Sequence, residues 1–139
     1  YSENKFNIKQ LVGETKLHGA YLQEGLKLLK PCTDIVYRGY RTGTLPKAGD
    51  AWTAEKFTST STDREASKPF MNNGSGKYRM MVKMRSVVGR KIGDLSMFAE
   101  DEVLFPSGSS FSVASAPVRW PAEDQGGKKA YKVKWTNNG

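Results

Sequence analysis

The sequence predicts an α+β fold: N-terminal helices followed by a mostly antiparallel, β-sandwich-like core. Three observations carry this. The apolar residues Leu17, Ala20, Tyr21, Leu22, Leu26, Leu28 and Leu29 fall close to one helical stripe, which Pro31 ends. From Ile35 onward the segments are short, rich in β-branched and aromatic residues, and separated by Gly and Pro. The chain shows no internal repeat, and a run of helices before a run of strands is the α+β order.

The elements follow in order. Phe6, Ile8, Leu11 and Val12 mark a short helix over residues 4–12, and the stripe from Leu17 marks a second, weakened by Gly19 and Gly25. Ile35–Tyr40 reads as a strand. Pro46, Gly49 and Asp50 form a loop, and Trp52–Thr53 and Phe57–Ser61 read as extended. Thr62 or Asp63 can cap a short helix with Glu65 in its first turn and Ala66 and Phe70 on its inner face. Asn72–Gly76 is a flexible loop. Tyr78, Met80, Val82 and Met84 alternate with Arg79, Met81, Lys83 and Arg85, which predicts a long strand with one wetter face. Gly89–Asp94 reads as a turn, Ser109–Val113 as a strand that Pro117–Trp120 loosely continues. In the last strand Tyr131, Val133 and Trp135 alternate with Lys132 and Lys134.

Composition narrows the chemistry. The 139 residues suit one domain with a real core, and the absence of an initial Met reads as an excised module or a processed product. With 22 Lys+Arg against 14 Asp+Glu, the net charge is +8, which favours an anionic partner. No apolar run reaches membrane-spanning length and no signal-peptide pattern is present. Cys32 and His18 are the lone residues of their kinds and lie apart, which argues against a metal site, a disulfide or a His-activated nucleophile. Chemistry here falls to carboxylates, hydroxyls and arginines.

Three polar elements stand out. Tyr37-Arg38-Gly39 puts an arginine on the first strand. Phe57-Thr58-Ser59-Thr60-Ser61 is a hydroxyl-rich strand. Glu100-Asp101-Glu102-Val103-Leu104-Phe105-Pro106-Ser107-Gly108 sets two carboxylates ahead of an apolar strand and a turn. In an extended chain Glu100 and Glu102 face the same way, roughly 7 Å apart, while Val103 and Phe105 face the other way, toward a core. Two such carboxylates resist ionising together unless a cation lies near. Each element alone has an ordinary reading, as a surface charge, a polar edge strand or a solvated acidic turn. Their joint order is much harder to reach by accident.

In these motifs the sequence resembles the arginine-specific mono-ADP-ribosyltransferases, which carry an Arg, a Ser-Thr-Ser and a Glu-x-Glu element. The matching residues are Arg38, Ser59-Thr60-Ser61 and Glu100-Asp101-Glu102, with similarity over about residues 35–113. Small size and the lack of disulfide cysteines look more like a bacterial toxin domain than a vertebrate ecto-enzyme. The resemblance implies one catalytic domain over 1–139 with an NAD-binding cleft, NAD as substrate and no metal. It casts Glu102 as the carboxylate that stabilises the ribosyl cation, and Glu100 as the group that orients the incoming arginine and takes its proton. Arg38 would bind the pyrophosphate as a planar cationic fork, and Gly39 would let the ligand approach the backbone. Ser59 would hold Glu102 or the ribose, with Thr60 and Ser61 bracing the strand. Phe70 would pack near nicotinamide or in the core, and Phe98 and Asp101 would meet the target.

The resemblance implies transfer to an arginine of a target protein by a delivered effector in the target-cell cytoplasm. RNA as acceptor and plain NAD hydrolysis remain open, and an acidic immunity or inhibitor protein would suit the charge. Lys83, Arg85, Lys128, Lys129, Lys132 and Lys134 are the residues for a basic surface. A non-catalytic basic binding module would explain that surface and leave the Arg, hydroxyl and carboxylate series without a role.

Overall fold

A computed structural model describes residues 16–93 and 101–139 of the chain. The expected helix over 4–12 lies outside these residues, as do Phe98 and Glu100. Helix α1 (Lys16–Lys27) falls where the stripe predicts a helix. Its last turn tightens through Leu28 N–H to Gly25 O and Leu29 N–H to Leu26 O before Pro31. Leu26 is buried against Ile92 and Leu104, with Leu22, Leu29 and Phe57 around them. Leu28 departs from the predicted stripe and is 88% exposed, because it follows the last helical residue.

The strands are β1 (Ile35–Thr42), β2 (Ala51–Thr53), β3 (Thr58–Ser61), β4 (Tyr78–Arg85), β5 (Arg90–Lys91), β6 (Glu102–Phe105), β7 (Ser110–Val113), β8 (Val118–Arg119) and β9 (Lys129–Asn137). They form one sheet in the order β2-β7-β9-β4-β1-β3-β6-β5, with β8 on β9. Every pairing is antiparallel except β4 with β9, so the sheet is mixed. Arg90 and Lys91, expected within a turn, form β5 because the exposed edge of β6 takes them as partners of Leu104 and Val103.

The sheet curls. Phe105 of β6 and Phe111 of β7 meet edge to face at 5.4 Å between ring centroids. With Cys32, Val36, Met84 and Val103 they form a core between the two arms of the sheet, which gives the sandwich character. As predicted, Val103 and Phe105 point into this core. Gln23 of α1 clamps the turn behind β6: its amide donates to Ser107 O and its Oε1 accepts from Ser107 N–H, both at 3.1 Å. The helix therefore fixes the far end of the strand that begins with Glu102.

Two features shape the cleft. β1 and β4 pair along their full lengths, whereas β1 and β3 share a single register pair, Tyr37 with Ser61. The sheet therefore opens between Arg38 and the hydroxyl strand. The second feature is Gly39. A side chain there would run into Ser67 O and lie 2.7 Å from Met71 N. Its absence lets helix α2 (Arg64–Ser67) and the 3₁₀ turn Lys68–Asn72 lie against β1. Asp63 caps α2, accepting from Glu65 N–H at 2.9 Å. The buried positions of this segment are Ser67 and Met71, while Ala66 and Phe70 are exposed. The expected inner face is thus wrong by one residue, because the Gly39 gap accepts the backbone at 67 and 71.

Candidate active site

The opening between β1 and β3 is a cleft of about 340 Å³. Tyr37, Arg38, Gly39 and Tyr40 line one wall, Ser59, Thr60, Ser61 and Glu102 the other, and Ala66, Ser67, Phe70 and Asn73 the roof. Five of the predicted residues from the hydroxyl and arginine elements, together with Glu102 and Phe70, therefore come together.

Arg38 is half-buried, and its Nη1 donates to the carbonyl of Ser59 at 2.9 Å. Among the described residues it forms no ion pair. Burial pushes its guanidinium pKa down, with the nearby Tyr40 phenol opposing. An arginine nonetheless stays charged in proteins. A half-buried cation held by one neutral carbonyl is a favourable place for an anion.

Across the cleft Glu102 is 7% exposed, and its Oε2 accepts from Ser59 Oγ at 3.1 Å. Ser59 therefore touches both charged groups, through its carbonyl to Arg38 and through its hydroxyl to Glu102. The other two hydroxyls serve the frame. Thr60 Oγ1 donates to Val103 O at 2.8 Å and pins β3 to β6. Ser61 Oγ accepts from Asp63 N–H at 3.0 Å and turns the chain into α2.

Asp101 is exposed in the turn just before β6, where Thr62 N–H donates to its carbonyl at 2.9 Å. Phe70 is 52% exposed and lines the cleft, so its ring lies at the cleft rather than in the core. Glu100 and Phe98 lie outside the described residues, and with Glu100 the expected coupling of two carboxylates. Gly39 lines the cleft, and its missing side chain also makes room for the chain's own backbone.

Sequence reasoning missed Tyr40. It stands two residues after Arg38 on the same strand, hence on the same face. Its ring rests on Trp135 at 5.9 Å, and its hydroxyl forms no hydrogen bond among the described residues. Burial pushes the phenol pKa up, with Arg38 opposing, so it remains a hydrogen-bond donor at neutral pH. The signal was present in the spacing of Arg38 and Tyr40. The Asn72–Gly76 loop, expected to be flexible, is tied to β1: Arg41 N–H donates to Asn73 O at 2.8 Å and Arg41 Nη2 to Gly74 O at 2.7 Å.

Comparison with known proteins gives the family and the fold. A family model described as NAD:arginine ADP-ribosyltransferase matches residues 10–121. The chain belongs to that family. A putative NAD(+)--arginine ADP-ribosyltransferase from Mycobacterium avium is 36% identical over 105 residues, 70% of this chain. The match spans 12% of that relative's length. Among solved structures, the ADP-ribosyltransferase Vis in complex with the M6 inhibitor superposes with a TM-score of 0.72 at 18% identity, over 98% of this chain and 68% of that one. Vis is a toxin from Vibrio splendidus. Its complex with agmatine gives a TM-score of 0.64 at 20% identity, over 89% of this chain and 58% of that one. These likenesses establish the ADP-ribosyltransferase fold.

Proposed function

We propose that this chain transfers ADP-ribose from NAD to the guanidinium of an arginine on a target protein and releases nicotinamide. The observation that carries the reading is Ser59, joined to a buried carboxylate on one side and, on the other, to a half-buried arginine that forms no ion pair among the described residues.

The residues divide the work. Arg38 binds the pyrophosphate as a bidentate fork, and the Tyr40 hydroxyl adds a donor beside it. Phe70 covers the nicotinamide. Glu102 faces the ribose. As the bond from C1′ to nicotinamide breaks, the electron pair leaves with nicotinamide and positive charge builds on the sugar, as in glycoside cleavage. Glu102, held in place beforehand by Ser59, stabilises that charge more than the ground state. The guanidinium nitrogen of the acceptor then bonds to C1′ and loses a proton. Glu100, by its place in the Glu-x-Glu motif, is the residue to orient that nitrogen and take the proton.

Family membership supports arginine as the acceptor, and so does the agmatine complex of Vis, since agmatine carries a guanidinium. The toxin among the structural neighbours supports a delivered effector that acts in the cytoplasm of a target cell. No described helix is long and apolar enough to cross a membrane. The test is incubation with labelled NAD and cell lysate, followed by protease or nuclease. Label released by protease alone is expected. Label released by nuclease alone would make nucleic acid the acceptor, and free ADP-ribose as the sole product would leave NAD hydrolysis.

A further inference from the structure

Outside the cleft, the strongest unexplained feature is the uncovered end of one face of β4 and β9; further along that face Arg79, Met81 and Ala130 are buried, the last two against Met71, so the predicted wetter face of β4 is wet only from Lys83 onward. The parallel register sets Lys83 beside Lys134 and Met81 beside Lys132. Strand alternation puts Lys83 and Arg85 on one face with Lys132 and Lys134, opposite the core side chains Val82, Met84 and Val133. All four cations are exposed. Among the described residues none of them forms an ion pair. Arg85 Nη1 donates to the neutral carbonyl of Thr33 at 2.8 Å, and Asp34, which feels the charge of Arg85, is bonded to Lys91 at 3.0 Å.

This arrangement does not serve the fold. Like charges directly side by side on neighbouring strands destabilise a sheet. Lysines that protect a sheet from aggregation belong on its edges, whereas β4 and β9 are interior strands. The patch also connects to the cleft. Tyr37, which lines the cleft, is the register neighbour of Lys83. At the other end Lys132 Nζ sits 4.5 Å from the ring centroid of Trp120. Arg64 and Lys68, from the segment that roofs the cleft, reach the same ring at 5.4 Å.

We infer that this face docks an acidic surface of the target protein and guides a neighbouring arginine to the cleft. The inference rests on the transferase reading above and names a property of its substrate. Charge complementarity selects an anionic occupant, since four exposed cations with no ion pair among the described residues, on a face beside the cleft, attract negative potential. The face also favours carboxylates over nucleic acid. Single-stranded nucleic acid is held by aromatic platforms on which bases stack. Trp120 is already flanked by three cations, and none of the exposed large apolar side chains among the described residues (Leu28, Trp52, Phe70, Val87, Val118) belongs to β4 or β9.

The test uses two synthetic peptides with one arginine each, one flanked by Asp and Glu and one by Ser and Asn, with agmatine as an acceptor too small to reach the face. The wild-type protein should modify the acidic peptide with a kcat/KM about tenfold above the neutral one at low salt, the ratio shrinking as salt screens the face. Lys83→Glu/Lys134→Glu should abolish that preference while thermal melting and transfer to agmatine stay at wild-type level. Equal use of the two peptides by the wild type, or an unchanged preference in the variant, overturns the inference. A poly-uridine oligonucleotide bound in a Lys83- and Lys134-dependent manner, with no effect on peptide preference, would overturn it in favour of nucleic acid. Failure of the wild type to modify agmatine at all would instead strike the transferase reading.

Discussion

Ser59→Ala separates positioning from binding at this site. The substitution removes the hydroxyl that donates to Glu102 Oε2 at 3.1 Å. It leaves the backbone carbonyl that accepts from Arg38 at 2.9 Å. The carboxylate loses a charge-assisted hydrogen bond, an interaction worth about 1.5–3 kcal/mol. Ser59 is exposed, so water can take up part of that role, which places the loss near the lower figure. A change of about 1.4 kcal/mol in the barrier is about tenfold in rate. Initial rates of ADP-ribosyl-agmatine formation at varied NAD should therefore show kcat down about tenfold and KM for NAD within about twofold of wild type. Ser59→Thr restores a hydroxyl on a residue suited to a strand and should recover most of the rate. A Ser59→Ala variant with wild-type kcat, or one whose loss lies wholly in KM, would refute the assignment of Ser59 to Glu102.

Three further outcomes follow from the geometry. Tyr40→Phe should raise KM for NAD about fivefold to tenfold with little change in kcat, because it deletes a donor beside Arg38 and leaves the ring on Trp135; steady-state kinetics and NAD titration check this. Gly39→Ala should destabilise the fold by about 1–3 kcal/mol, read as a lower urea midpoint, because the added carbon meets the backbone of Ser67 and Met71, which cannot swing aside. Asp124 holds Arg119 at 2.7 Å and accepts from Ala130 N–H, and these contacts lower its pKa from 3.8 to about 2. A carboxylate depressed by folding contributes stability at pH values above 3.8, and that contribution fades as pH falls toward 2. Urea midpoints between pH 5 and 2 should fall less steeply in Asp124→Asn than in the wild type.

The elements that carry the site were legible because their signals are local. Alternation over Tyr78–Arg85 marks β4, the β-rich run with Arg38 marks β1, and the apolar run after Glu102 with its Pro-Gly turn marks β6. What escaped the sequence depends on distant partners. Nothing within Lys129–Asn137 says that it pairs parallel to β4 rather than antiparallel to another strand. Arg90 and Lys91 become a strand only because the edge of β6 stands beside them. Ala66 and Phe70 fitted an apolar face, yet the gap at Gly39 turned Ser67 and Met71 inward. The cleft itself is a missing stretch of pairing between β1 and β3, and a missing pairing leaves no mark in either strand's sequence. The family motif assigned Ser59 to the site, but only the fold shows its two groups reaching opposite walls.

If a carboxylate fixed before the reaction steadies the cationic sugar, Glu102→Gln removes the charge that does so. The measurement is nicotinamide release from NAD, with agmatine and without any acceptor, alongside a melting curve. Both reactions should fall about 10²–10³-fold with the fold intact, the scale of losing one preorganised electrostatic group. A well-folded Glu102→Gln protein that releases nicotinamide at the wild-type rate would contradict it.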